Sequence, residues 1–167
     1  LLASGASGGP SLSGEALDEF SEALDALCVD LAKQIPADGE GASHLITIDV
    51  QGASSREAAR QIAQTVANSN LVKAGVAGAD PNWGRIISAV GYAGVEIDPD
   101  QVRVAINGFD LYRQGAPVAF DVAEVSTSIA GSMETSILVE LNTGTAVARF
   151  WTSDLTADYF RFNSEFH

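Results

Sequence analysis

Between Ser13 and Gln34 the apolar residues Leu17, Phe20, Leu24, Leu27, Leu31 and then Ile35 return every three or four positions, with acids and alanines between them. That spacing gathers them on one stripe and predicts an amphipathic helix. Ser13 suits its N-cap, Glu15 its first turn, and Pro36 its stop. A loop over 37–43 leads into Leu45–Val50, whose β-branched residues predict a strand. In "SSREAARQIAQTVANS", Ser54 and Glu57 have the spacing of a capping box, and Ala58, Ile62 and Val66 form the buried face of a second helix. "LVKAGV" reads as a short strand. A further helix starts near Trp83 and turns Ile86, Ile87 and Val90 inward.

In "QVRVAINGFDLYRQ", Val102, Val104 and Ile106 alternate, and Asn107-Gly108 supplies the positive φ angles of a two-residue turn, so a β-hairpin is predicted. "DVAEVSTSIAGS" fits a helix with Val122, Val125 and Ile129 on one side. Ile137–Leu141 and Ala146–Thr152, joined through Asn142-Thr143-Gly144, read as a second hairpin. The closing "LTADYFRFNSEFH" fits either a helical turn or an irregular tail. Strands interleaved with helices predict an α/β fold, a mixed sheet with helices packed on it. No repeat or linker-like break appears, so residues 1–167 are expected to form a single domain.

Composition narrows the partners. A chain of 167 residues, 46% hydrophobic with 16 glycines, is a globular composition. Acids outnumber bases 22 to 9, for a net charge of -13. That charge disfavours nucleic acid and anionic membranes and draws small cations. Cys28 is alone, so no internal disulfide is expected and a reducing, cytoplasmic setting fits. No apolar run approaches the ~20 residues that span a bilayer, and no basic segment precedes an apolar one at the start as in a secretory signal. The opening Leu1-Leu2-Ala3 lacks a Met and resembles the end of a strand, so a processed piece of a longer chain is expected.

Familiar catalytic patterns are missing. His44 and His167 with one cysteine make a poor zinc set, and no G-x-S-x-G elbow, G-x-G-x-x-G turn or Walker lysine loop occurs. "GASGG" at 5–9 and Asp98/Asp100 read as turns. Glu40, between Gly39 and Gly41, could offer an unobstructed carboxylate to a ligand ammonium, with a solvated loop acid as the alternative. Asp80-Pro81-Asn82 looks like a helix entry, Trp83 an anchor, and Arg85 a two-pronged partner for a carboxylate. An internal anchor and ion pair there stand against a ligand site. Gly84, Ser88, Ala89 and Gly91 suit close backbone approach. Asn163 could read a polar ligand through its amide, or be a plain tail residue.

"LLASGASG", "DGEGASHLITIDVQGA", "ANSNLVKAGVAGADPNWGRIISAVGYAG" and "SDLTADYFRFNSEF", in this order, resemble the ornithine acetyltransferase family, also called bifunctional glutamate N-acetyltransferase. The resemblance runs nearly end to end. It implies a precursor that cuts itself before a threonine into α and β chains, which stay together as α2β2. The new terminal threonine takes the acetyl group of N-acetylornithine and passes it to glutamate, with acetyl-CoA a second donor in some members. Its own α-amine serves as base, so no histidine is needed. No resident cofactor is implied. This chain resembles the β chain from a point well inside it. The nucleophilic threonine is therefore expected upstream of Leu1, and the oxyanion-hole donors in the α chain. Glu40 and Asn163 match substrate contacts of the family. The cluster Asp80, Asn82, Trp83 and Arg85 is expected to be scaffold and interface. Two competitors remain: a catalytically silent subunit of the same fold, and a related self-cleaving aminopeptidase.

Overall fold

The computed structural model describes residues 5, 6 and 8–165. Contacts divide the chain into two compact units, one ending at Ala32 and one running from Lys33. Leu1–Ala3, part of the 5–9 turn, and His167 lie outside the described residues.

Helix α1 spans Glu15–Ala37 and none of its residues is buried. The predicted stripe exists, but Leu17, Phe20, Leu27, Leu31 and Ile35 are exposed. The entry is one residue later than Ser13, because the Gly14 carbonyl accepts from the amides of Leu17 and Asp18. Pro36 lies inside the helix and does not stop it. At the C-terminal end the chain gains only one more helical residue, Ala37, before the loop begins.

The second unit is built on a six-stranded sheet. Its strands are β1 (Leu45–Ala53), β2 (Val102–Ile106), β3 (Phe109–Arg113), β4 (Ala116–Pro117), β5 (Glu134–Leu141) and β6 (Ala146–Ser153), in spatial order β4-β3-β2-β5-β1-β6. β1 and β5 run parallel, and every other pairing is antiparallel. Register places Ile48 beside Ile137 and Val50 beside Val139, and the latter two beside Ile106 and Val104. These residues share one face, all essentially buried. Against it pack α2 (Arg56–Ala67) and α4 (Trp83–Gly91), with Ile62, Val66, Ile86 and Val90 buried. Each such side chain contributes about 1.5–3 kcal/mol by leaving water. The opposite face carries ion pairs: Arg149–Asp49 at 2.6 Å, and Arg103 to Asp110 and Glu140 at 2.7 and 2.9 Å. α5 (Val122–Ala130) adds Val125 and Ile129 to the core and leaves Val122 exposed.

The first hairpin forms as expected, with Asn107 and Gly108 at φ 49° and 86°. The second does not. β5 and β6 are separated by β1, so the turn at 142–144 arches over the end of β1, where Thr143 and Gly144 amides both donate to the Gly52 carbonyl at 2.9 Å. Gly52 has φ +70°, and a Cβ there would overlap the Leu141 carbonyl. A two-strand signal cannot reveal a third strand inserted from far away in sequence.

Three local expectations also change. "LVKAGV" belongs to helix α3 (Asn70–Ala77): Ser69 caps it, and Val72 and Val76 fall on its buried side four residues apart. Ser55, not Ser54, caps α2; its hydroxyl accepts the Ala58 amide, which puts Glu57 one place too early for a reciprocal box. The tail resolves into helix α6 (Ala157–Glu165). No helix among the described residues is long and apolar enough to cross a membrane.

Candidate functional site

Glu40 and Asn163, 123 residues apart, meet side chain to side chain: the Asn163 amide donates to Glu40 Oε2 at 3.1 Å. The loop after α1 turns tightly, with the Ala42 amide donating to the Gly39 carbonyl at 2.9 Å. Gly41 sits at φ +68°, and a Cβ would lie 2.5 Å from the Tyr159 amide nitrogen, so glycine is what lets the loop rest on the first turn of α6. Thr156 fastens the contact. Its hydroxyl donates to the Gly41 carbonyl at 2.5 Å and accepts the Tyr159 amide at 3.2 Å, capping α6 while tying it to the loop. One turn further along α6, Asn163 also donates to the Tyr159 carbonyl at 2.8 Å, which fixes its amide. Both Asn163 N–H groups are thereby used. Glu40 Oε1 and Asn163 Oδ1 accept no hydrogen bond from the described residues, and the pair is solvent-exposed. Two open acceptors, one of them anionic, suit a donor-rich cation.

Below this pair lies a polar cluster. Asp154 is buried, 4% exposed, just after β6. Its Oδ1 receives the Ser43 amide at 2.9 Å, and its Oδ2 receives the Ser43 hydroxyl at 2.5 Å and faces His44 Nδ1 at 2.9 Å. His44 Nε2 faces the Ile129 carbonyl at 3.2 Å. Burial pushes the Asp154 carboxyl upward, but bonds from Ser43 and His44 outweigh it and hold the group below its ordinary value. A serine, a histidine and an aspartate thus converge without any G-x-S-x-G elbow. The wiring is not that of a hydrolase, where serine and aspartate take opposite ring nitrogens. Here both face Nδ1. Ser43 and Asp154 carried no signal in the sequence, because they meet across 111 positions; Thr156 offered only the local signal of a helix cap, while its bond to Gly41 spans 115.

The Asp80–Arg85 cluster forms a corner within the chain. Asn82 caps α4 by accepting the Arg85 amide at 3.2 Å and donates to Asp80 Oδ2 at 3.1 Å. Arg85 donates to the Leu71 carbonyl at 2.9 Å and stands 3.6 Å from Asp80. Trp83 stacks on Tyr112, ring centroids 5.3 Å apart. No described hydrogen bond joins this corner directly to Glu40. One link toward the site runs through α3, whose Lys73 carbonyl accepts the Leu155 amide next to Thr156 at 3.4 Å.

Comparison with known proteins bears on the family and the fold. The model of the ArgJ family matches residues 1–167. The glutamate N-acetyltransferase of Methanopyrus kandleri is 43% identical over 99% of this chain, which covers 43% of that relative. The arginine biosynthesis bifunctional protein ArgJ of Gloeobacter violaceus is 42% identical over 99% of this chain and 41% of its own length. The chain thus spans less than half the length of these curated relatives. The crystal structure of arginine biosynthesis bifunctional protein ArgJ from Bacillus halodurans superposes with a TM-score of 0.92 at 38% identity, over 98% of this chain and 78% of that one. On the match of its whole length, this chain belongs to the ArgJ family.

Proposed function

We propose that this chain is the larger part of the β chain of an acetyltransferase that moves an acetyl group from N-acetylornithine to glutamate in arginine biosynthesis. The single observation that carries the reading is the Glu40–Asn163 pair, two side chains from opposite ends of the second unit presenting open acceptors at one point. Glu40 would receive the side-chain ammonium of the ornithine moiety, and Asn163 Oδ1 an adjacent N–H. A charge-assisted pair of this kind selects a diamino acid over one that lacks the second amine.

The reacting groups come from polypeptide beyond this chain. A terminal threonine hydroxyl, deprotonated by its own α-amine, adds to the acetyl carbonyl. The C–N bond then breaks and ornithine leaves with the proton. The glutamate amine attacks the acetyl ester in turn, restoring the threonine hydroxyl. Donors from an α chain stabilise the oxyanion, and α and β chains, made by self-cleavage, assemble as α2β2 in the cytoplasm. Acetyl-CoA would serve as a second donor; the Gloeobacter and Bacillus relatives are called bifunctional in their names. Residues 1–167 act as one domain of that assembly. The corner of Asp80, Asn82, Trp83 and Arg85 serves as scaffold, holding α4 and α3 in place, and contributes to the interface with the α chain.

The test is acetyl transfer from N-acetylornithine to glutamate by the full-length gene product, with the mass of each chain measured intact. Cleavage before a threonine upstream of Leu1, together with transfer, supports the proposal. An uncleaved, inactive protein would instead favour a silent subunit of the same fold.

A further inference from the structure

A cavity of about 220 Å³ opens beside the ion pairs on the sheet face opposite the helices, with Arg113, Arg103 and Glu140 in register across β3, β2 and β5 along it. It stands at the far end of the strands from Glu40. Glu140 pairs with Gln51 late in β1, whereas the Glu40 loop enters β1 at Leu45. The volume falls below the roughly 300–1,000 Å³ of sites for drug-sized ligands, which points to a ligand of amino-acid size.

The charges along the cavity are unevenly used. Arg103 is satisfied, donating to Asp110 and Glu140 at 2.7 and 2.9 Å. Arg113 is not. It lies directly opposite Arg103 in the β2–β3 register, where like charges disfavour each other, and its guanidinium has no hydrogen bond or ion pair among the described residues. Asp100 is its counterpart. A 3-10 turn over Pro99–Gln101, capped by Asp98 through the Asp100 amide at 3.0 Å, fixes the backbone that carries it. Its carboxylate rests on the β3–β4 turn, where Gly115 has φ +76° and a Cβ would overlap Asp100 Oδ1. That carboxylate accepts no hydrogen bond among the described residues and does not pair with Arg113.

Two opposite charges thus line one cavity without meeting. A simple anion would be repelled by Asp100 and a simple cation by Arg113, whereas a dipolar ion satisfies both. The side-chain amides of Gln101, Gln114 and Asn142, also without partners among the described residues, suit a polar remainder. We propose that this cavity binds a small zwitterionic α-amino acid, its carboxylate on Arg113, its ammonium on Asp100 and a polar side chain among the three amides. The proposal does not depend on the acetyltransferase reading.

The experiment is equilibrium dialysis of the full-length gene product against radiolabelled L-glutamine, whose side-chain amide complements those of the cavity. Saturable binding with Kd below about 1 mM is expected. In competition, glutaramate, which lacks the ammonium, and γ-aminobutyramide, which lacks the carboxylate, should each bind at least about tenfold more weakly, the loss of a bond to a charged group. Arg113→Gln and Asp100→Asn, both at exposed positions, should each weaken glutamine by a similar factor. Glu40→Gln should leave glutamine binding unchanged. Its loss in that variant would put glutamine at the Glu40–Asn163 corner and overturn the proposal. So would no saturable binding at about 10 mM, either analogue binding as tightly as glutamine, or wild-type affinity in either cavity variant. Should a variant fail to fold, the analogue series on the wild type decides. Acetyl transfer enters none of these measurements, so failure of the functional reading leaves the test intact.

Discussion

On the helix-covered face of the sheet, Ile48, Val50, Ile137 and Val139 are at most 1% exposed and meet apolar neighbours in register. At the Glu40 corner the arrangement is the reverse. Glu40, Ser43 and Asn163 are exposed, and what holds them is a set of hydrogen bonds between a loop and a short helix. The first region draws its stability from area removed from water, which is insensitive to small displacements. The second fixes positions rather than supplying bulk stability, since exposed polar contacts contribute little net free energy. A site that must exchange a ligand cannot be sealed like a core, so directional bonds from a rigid base take over.

The contrast can be broken first at the core. Ile48→Ala, at a fully buried central position, should lower unfolding free energy by about 3–5 kcal/mol in denaturant titration, by lost transfer energy and a residual cavity. A change under about 1 kcal/mol would mean the centre of β1 is not packed as described. Next comes Glu40→Gln, expected to cut kcat/KM for N-acetylornithine about 100-fold, the worth of a charge-assisted contact, while shifting stability by under about 1 kcal/mol. If stability and activity fall together, the corner is structural and the comparison fails.

Asp154 joins the two regions, being buried yet polar. Its carboxyl is held below the ordinary value, so the stability it supplies is complete above the usual carboxylate range and vanishes as pH falls through the lowered folded value. Asp154→Asn should therefore cost about 2 kcal/mol near neutrality and reduce the loss of stability on acidification below about 3.8. Parallel acid-unfolding curves for the two proteins would contradict this. Trp83→Ala should remove the stack on Tyr112 and weaken α–β association, seen as dissociation in gel filtration. An intact assembly with only KM altered would place Trp83 at the substrate instead. The smallest effect belongs to Arg161→Ala, which breaks an exposed 3.0 Å pair with Asp158 and should move thermal stability by no more than about 0.5 kcal/mol.

Local signals found most elements because they depend on near neighbours. The alternation in β2 and Asn107-Gly108 gave the first hairpin, and the steps of Ala58, Ile62 and Val66 gave α2. Where a segment was short and largely apolar, as in "LVKAGV", period failed; the Ser69 cap, a helix signal two residues upstream, was the missed clue. The α1 stripe showed a helix correctly but implied a burial that the described residues do not provide.

Residue type and spacing were enough to fix the mixed α/β class and the first hairpin, and the longer motifs the family; Glu40 and Asn163 were singled out by that resemblance. Sequence order could not show that β1 slides between β5 and β6, because pairing depends on which apolar faces meet after collapse. Nor could it show that Glu40 touches Asn163, or that Ser43, His44 and Asp154 share one oxygen and Thr156 ties the loop to α6. Those contacts act over about 3 Å between residues more than a hundred positions apart, a distance along the chain that no local preference can span.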